Sequence, residues 1–344
     1  MIRAQLTLSF GFFVFIFTHA MAVVAKETKF RALVSFGDSL SDVGTYNVSA
    51  ISTAGGGKYT VNYPGSRIWV ERLAQEICLD DPCAATTGLD GSAFGTVSLA
   101  QHAGCFAYAQ GGSRISNAIG MSNAASMFPG SELGGLTNPV LSQIQQHLSL
   151  VGFFSQHDLV TLWAGHNDIF FALASETPVE EVIKAAKDLV VYIKNLIIAQ
   201  GAKHVLVLNM ADIRYTPFGL SLPPDFSDLI NNLVMAFNKE LSFGFDNMKE
   251  VLLLDIYTQG HLWIENPAAF GITNYTTPAC NFEATLFPST LLCTLSTLIS
   301  DNTAGYFYAD MVHPAAKGQE VIADYVIGAL KQHGWLSKES CYRP

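Results

Sequence analysis

The stretch "ALVSFGDSLSDVGTYN" (32–47) carries three residues able to do chemistry, Asp38, Ser39 and Asp42. A serine hydroxyl attacks poorly until a base removes its proton, and that base must be held in one tautomer by a third group. Late in the chain, "YADMVHPAAKG" (308–318) places Asp310 and His313 three apart, just before Pro314 and a helical pattern. In a loop this spacing lets the carboxylate fold back onto one imidazole nitrogen while the other points outward. His313 would then be a general base for Ser39 and Asp310 the group that orients it. A developing oxyanion would need preorganised N–H donors, worth ~3 kcal/mol each. "CFAYAQGGSRI" (105–115) offers Gly111-Gly112, where the backbone can approach a ligand because no Cβ intervenes. "WAGHNDI" (163–169) offers the side-chain amide of Asn167, and the N–H of Ser39 is a third donor. Taken singly, each segment also reads as an ordinary turn. Asp42 reads as shaping the turn after Ser39. His166 and the remaining histidines show no chemical partner in the sequence and read as structural or surface residues.

Positioning these groups requires a scaffold. Nearly continuous apolar runs at 32–36, 159–163, 205–209 and 251–256 have the composition of strands covered on both faces. Between them, 178–200 repeats apolar residues at helical spacing, with Pro178 near its start and Gly201 just past its end. A second run places Leu229, Ile230, Leu233, Val234, Phe237 and Leu241 on one face, and a last helix spans about 315–332. Strands alternating with helices predict an α/β fold with a parallel sheet covered on both sides. Ligands in such sheets sit at the carboxyl ends of the strands, where "GDS" and "GHND" both fall. The regions 55–131 and 266–303 are rich in Gly, Ser, Thr and Asn and read as long loops. No repeat, charge block or Pro-rich linker divides the chain, which predicts a single domain over 30–344.

The four segments, in this order, resemble the motif blocks of the GDSL lipase/esterase family, the SGNH hydrolases. "FGDSLSDVG" matches the nucleophile block, "YAQGGS" the glycine block, "GHND" the G-x-N-D block and "DMVH" the D-x-x-H block. The resemblance runs from about Phe30 onward. It implies a three-layer α/β/α sandwich with a flavodoxin-like sheet, Ser39 as nucleophile, and His313 with Asp310 as base and partner. It also implies Ser39, Gly112 and Asn167 as oxyanion donors, Gly112 rather than Gly111 following from alignment with the family pattern. The implied activity is hydrolysis of carboxylic esters, above all of lipids such as phospholipids, lysophospholipids or acylglycerols, in the manner of secreted phospholipases A, lysophospholipases and lipases. Transfer of the acyl group to cholesterol or another alcohol is the alternative within the same chemistry. A carbohydrate O-acetyl esterase and a non-catalytic surface binding protein are further alternatives. The G-x-S-x-G elbow of the other large hydrolase fold is absent: Gly37-Asp38-Ser39-Leu40-Ser41 lacks the final glycine.

Composition narrows the rest. Hydrophobic residues make up 49% and charged residues 14%, which excludes a disordered chain, and a net charge of −10 argues against nucleic acid as a partner. A lipid or other ester substrate and transient contact with a membrane surface are the partners expected, with the oligomeric state left open. Met1-Ile2-Arg3, an apolar run over 6–17 and then Ala20-Met21-Ala22 have the form of a signal peptide over 1–22, cut between 20 and 25. The mature protein is therefore expected to be secreted or periplasmic. The six cysteines, Cys78, Cys83, Cys105, Cys280, Cys293 and Cys341, form an even set suited to disulfides there. The close pairs Cys78/Cys83 and Cys280/Cys293 are the first to test. No thiol–histidine spacing suggests zinc, and no metal or organic cofactor is implied. "AGGGKYT" (54–60) lacks the first glycine and the final hydroxyl of a phosphate loop and reads as a flexible loop. The segment 279–300 mixes Leu and Phe with Thr and Ser just before the His loop. It reads as a disulfide-tied surface loop, or else as an apolar wall or lid for acyl chains.

Overall fold

The computed structural model describes residues 29–91, 95, 97–283, 285 and 289–337; the expected signal peptide and Cys341 lie outside them. In chain order the elements are β1 (Ala32–Gly37), α1 (Ser49–Thr53), α2 (Trp69–Glu76), the antiparallel strands β2 (Thr86–Leu89) and β3 (Val97–Gln101), and α3 (Val140–Val151). Then come β4 (Asp158–Trp163), α4 (His166–Ala172), α5 (Pro178–Tyr192), β5 (Val205–Leu208), α6 (Pro217–Leu220), α7 (Pro224–Phe245), β6 (Val251–Leu254), α8 (Ile256–Glu265) and α9 (Ala316–Gln332).

The apolar runs form a parallel sheet in the order β1-β4-β5-β6, with Leu33 opposite Leu159 and Val205 opposite Val251. Beside β1, residues 106–110 continue the pairing through Ser35 N–H to the Phe106 carbonyl (3.0 Å) and Tyr108 N–H to the Ser35 carbonyl (2.7 Å). Because strand side chains alternate between faces, each run feeds two cores. Val34, Phe36, Val160, Leu162, Val205 and Val207 pack with α3, α5 and α7. Leu33, Leu159, Trp163, Leu206, Leu208 and Leu254 pack with α2, α8 and α9 on the other face. The result is the three-layer α/β/α architecture.

Several boundaries differ from expectation. The strand expected over 251–256 stops at Leu254, and α8 starts two residues on, its first turn capped by the Asp255 carboxylate accepting from Thr258 N–H. The helix expected over 178–200 ends regular α geometry at Tyr192 and continues as a π-helical turn, Ile193–Ile198. The region 55–131 is not one loop: it holds α2 and the β2–β3 pair. Among the described residues no helix is long and apolar enough to cross a membrane.

Candidate active site

The turns after β1 and β4 meet at the carboxyl edge of the sheet. Gly37 ends β1 so close to its neighbour that a Cβ there would lie 2.3 Å from the Trp163 carbonyl oxygen. Gln143 of α3 holds this point from the other side, accepting from Gly37 N–H (2.9 Å) and donating to its carbonyl (2.8 Å). Asp38 N–H donates to the Trp163 carbonyl, and the Asp38 carboxylate accepts from Leu40 N–H, so the backbone around Ser39 is fixed on both sides. Asp42 shapes the following turn, accepting from Gly44 and Thr45 N–H, and reaches across to Gly111 N–H (2.8 Å). Burial pushes its carboxyl up to about 6 despite these three donors.

Residues 309–313 fold back as a compact loop. Asp310 Oδ1 accepts from Val312 and His313 N–H (2.8 and 2.6 Å), and Oδ2 accepts from His313 Nδ1 at 2.7 Å. With the proton on Nδ1, His313 Nε2 is the acceptor facing the Ser39 hydroxyl at 2.8 Å. Burial alone would raise the Asp310 carboxyl. The adjacent imidazole and the hydrogen bonds from His313 and Thr290 outweigh it and hold the group below the usual carboxylate range. The structure thus brings Ser39 to the Asp310–His313 loop, 274 residues from His313 along the chain.

Two residues that sequence reasoning passed over belong to the same cluster. The Thr290 hydroxyl donates to Asp310 Oδ2 and lies 3.0 Å from His313 Nδ1. The Tyr59 ring packs against the His313 ring at 4.9 Å between centroids. Tyr59 comes from the glycine-rich segment read as a flexible loop; that segment is anchored, with Lys58 paired to Glu71 at 3.0 Å. Nothing in the spacing of either residue could have announced it, since both depend on loops converging from distant parts of the chain.

Gly111 and Gly112 separate cleanly. Gly111 N–H is engaged by Asp42 and its Cα is covered by Tyr59, whereas Gly112, at φ +83°, lines the cavity beside Ser39. Among the described residues neither Gly112 N–H nor Ser39 N–H donates a hydrogen bond. Asn167 sits at the start of α4 and gives one amide proton to the Ser113 carbonyl (2.8 Å), which fixes the amide and, among the described residues, leaves its other proton free. His166, read as a surface or structural residue, lines the cavity with Nδ1 3.6 Å from the buried Asp38 Oδ2; among the described residues neither atom has a hydrogen-bond partner.

A cavity of about 250 Å³ opens beside Ser39 and His313, walled largely by apolar side chains such as Leu133, Phe170, Ile256 and Trp263. Asp212 also reaches its wall, but its carboxylate is satisfied by Arg214 (2.7 Å) and His261 (2.8 Å). No group of three His, Cys, Asp or Glu side chains among the described residues is placed to hold a metal ion.

The disulfides correct one expectation. Cys280 pairs with Cys293 as read, but Cys83 pairs with Cys105 rather than with Cys78, which is disulfide-bonded elsewhere. The reason is the backbone: Ala107 N–H bonds the Cys83 carbonyl, so the segment beside β1 brings Cys105 to Cys83. Proximity in sequence was the wrong guide because Cys78 ends the α2 turn at φ +64°.

The GDSL-like Lipase/Acylhydrolase family model matches residues 33–326, and the chain belongs to that family. Its fold is therefore the SGNH hydrolase fold. A GDSL esterase/lipase of Arabidopsis thaliana is 27% identical over 135 residues, which is 37% of this chain and 36% of that protein. The match thus spans about a third of the length of that curated relative.

Proposed function

We propose that this chain is an exported serine esterase that hydrolyses carboxylic esters of lipids, with Ser39 as nucleophile, His313 as general base and Asp310 as its orienting partner. The observation that carries this reading is the continuous Asp310–His313–Ser39 hydrogen-bond chain at the mouth of an apolar-walled cavity. As the Ser39 oxygen bonds to the ester carbonyl carbon, its proton passes to His313 Nε2. The carbonyl oxygen takes the negative charge, and the N–H groups of Ser39 and Gly112 and the Asn167 amide receive it. Collapse breaks the bond to the alcohol oxygen, which leaves with the proton from His313. Water then attacks the acyl-serine, giving its proton to the imidazole, and the acid departs as Ser39 regains a proton. Asp310 stays ionised throughout and stabilises the imidazolium.

The amino-terminal signal pattern and the disulfides support an oxidising, exported setting. The apolar wall supports acyl chains over acetyl groups, because each buried methylene contributes about 0.8 kcal/mol. The test is product analysis with phospholipids, lysophospholipids and p-nitrophenyl esters, with and without cholesterol. Release of free fatty acid is expected. Acyl groups appearing on cholesterol instead would make the protein a transferase, and no turnover on any ester would overturn the reading.

A further inference from the structure

Helix α8 turns one face to the cavity: Ile256, Gly260, Trp263 and Ile264 all line it. Their spacing is i, i+4, i+7 and i+8, a single stripe of an α-helix. Large side chains fill this stripe everywhere except at Gly260. Nothing local asks for glycine there. The residue lies inside a regular helix, outside the positive-φ region, and a Cβ built on it meets no atom of the described residues within 4 Å. Glycine in a helix interior costs about 1 kcal/mol relative to alanine, so the position gives up stability without a backbone or packing reason. What it leaves is room in the cavity wall, between two large apolar neighbours.

We infer that Gly260 sets acyl-chain selectivity: the notch it leaves in the α8 stripe receives the methylenes of a long carboxylic acyl chain whose carbonyl sits at Ser39. This rests on the esterase reading above and adds to it where the chain runs. The surrounding wall suits such an occupant, with Ile213, Phe307 and Ile322 contributing apolar surface. Asp212, which lines the cavity beside Ile213, is paired with Arg214 and His261 and so does not oppose an apolar guest. A side chain placed at residue 260 would project into the same space and shorten the acyl chain the cavity accepts.

The test is the chain-length profile of G260L and G260F on p-nitrophenyl esters from acetate to palmitate. Both variants should fold, since open space receives the new side chain. kcat/KM for laurate to palmitate should fall at least tenfold, chiefly through KM, while acetate hydrolysis stays within a factor of a few. Gly328 in α9 provides the control, because a Cβ there also meets nothing within 4 Å but the residue is exposed and outside the cavity. G328A should raise Tm and leave the profile untouched. If G260L and G260F keep the wild-type profile, the notch does not receive the acyl chain. An equal loss on all esters would make Gly260 a structural residue and overturn the inference as well. Absence of turnover in the wild-type protein, by contrast, would defeat the esterase reading itself.

Discussion

At the scale of single residues, few polar groups around Ser39 are free. Gly111 N–H, one Asn167 proton and both Asp310 oxygens already have partners, so what remains for an oxyanion is Ser39 N–H, Gly112 N–H and the second Asn167 proton. Asn167→Ala should therefore lower kcat by about 10²–10³ with little change in KM, since that donor matters only as charge develops. Its loss also frees the Ser113 carbonyl, so Tm should be measured in parallel. Thr290→Val removes a hydroxyl from a carboxylate that three other donors, Val312 N–H, His313 N–H and His313 Nδ1, still hold. A hydrogen bond to a charged group contributes about 1.5 kcal/mol at the low end, which predicts a roughly tenfold loss in kcat from a protein that still folds. Steady-state kinetics with a soluble ester checks both. Unchanged kcat in Thr290→Val would show that Asp310 needs no support from the Thr290 hydroxyl.

Among the elements, close packing fixes where the strands and helices can move. Gly244 in α7 faces α5 so tightly that a Cβ would come within 2.4 Å of Val190 Cγ2. Gly244→Ala should destabilise the fold by about 1–3 kcal/mol, the usual cost of overpacking, despite the better helix propensity of alanine. Chemical denaturation reads this directly, and a stabilised variant would mean the α5–α7 contact yields easily. The same contrast explains what was legible in the sequence. The core strands announced themselves because both faces are buried, which leaves unbroken apolar runs such as Val205–Leu208. The β2–β3 pair did not, since β3 exposes nearly every residue and so carries no alternation. Helix α2 is eight residues long, and much of its definition comes from Glu71 accepting from Ile68 N–H and from Gln319 accepting from Trp69 N–H. The second of these is a contact from the far end of the chain. The site followed the same division. Ser39, Asn167, Asp310 and His313 stood out because their chemistry is marked by motif and strand end. Thr290, Tyr59, His166 and the Cys83–Cys105 pairing depend on where loops land.

Across the whole molecule, buried carboxyls make stability depend on pH in opposing ways. Asp42 titrates at about 6 in the folded protein against about 4 when unfolded, so between these values the folded form holds a proton that the unfolded form has released. The stability this group contributes is therefore full below about pH 4 and is lost as pH rises through about 6. Asp310, whose carboxyl is held low, contributes stability at neutral pH that is lost as the solution is acidified. Urea denaturation of wild type and Asp42→Asn at pH 4 and pH 7 separates the first effect from the second. The variant is less stable at both, because it loses the acceptor for Gly111 N–H, and the wild-type advantage should shrink on going to pH 7. An advantage that grew instead would place the folded Asp42 below its unfolded value. The central claim is that His313 and Asp310 make Ser39 a nucleophile, and reaction with a fluorophosphonate followed by peptide mapping tests it most directly. One adduct on Ser39 is predicted, absent in Ser39→Ala and slowed by at least 10³-fold in His313→Ala, as loss of the base requires. An adduct on another residue, or labelling of Ser39 at the same rate without His313, would contradict the account.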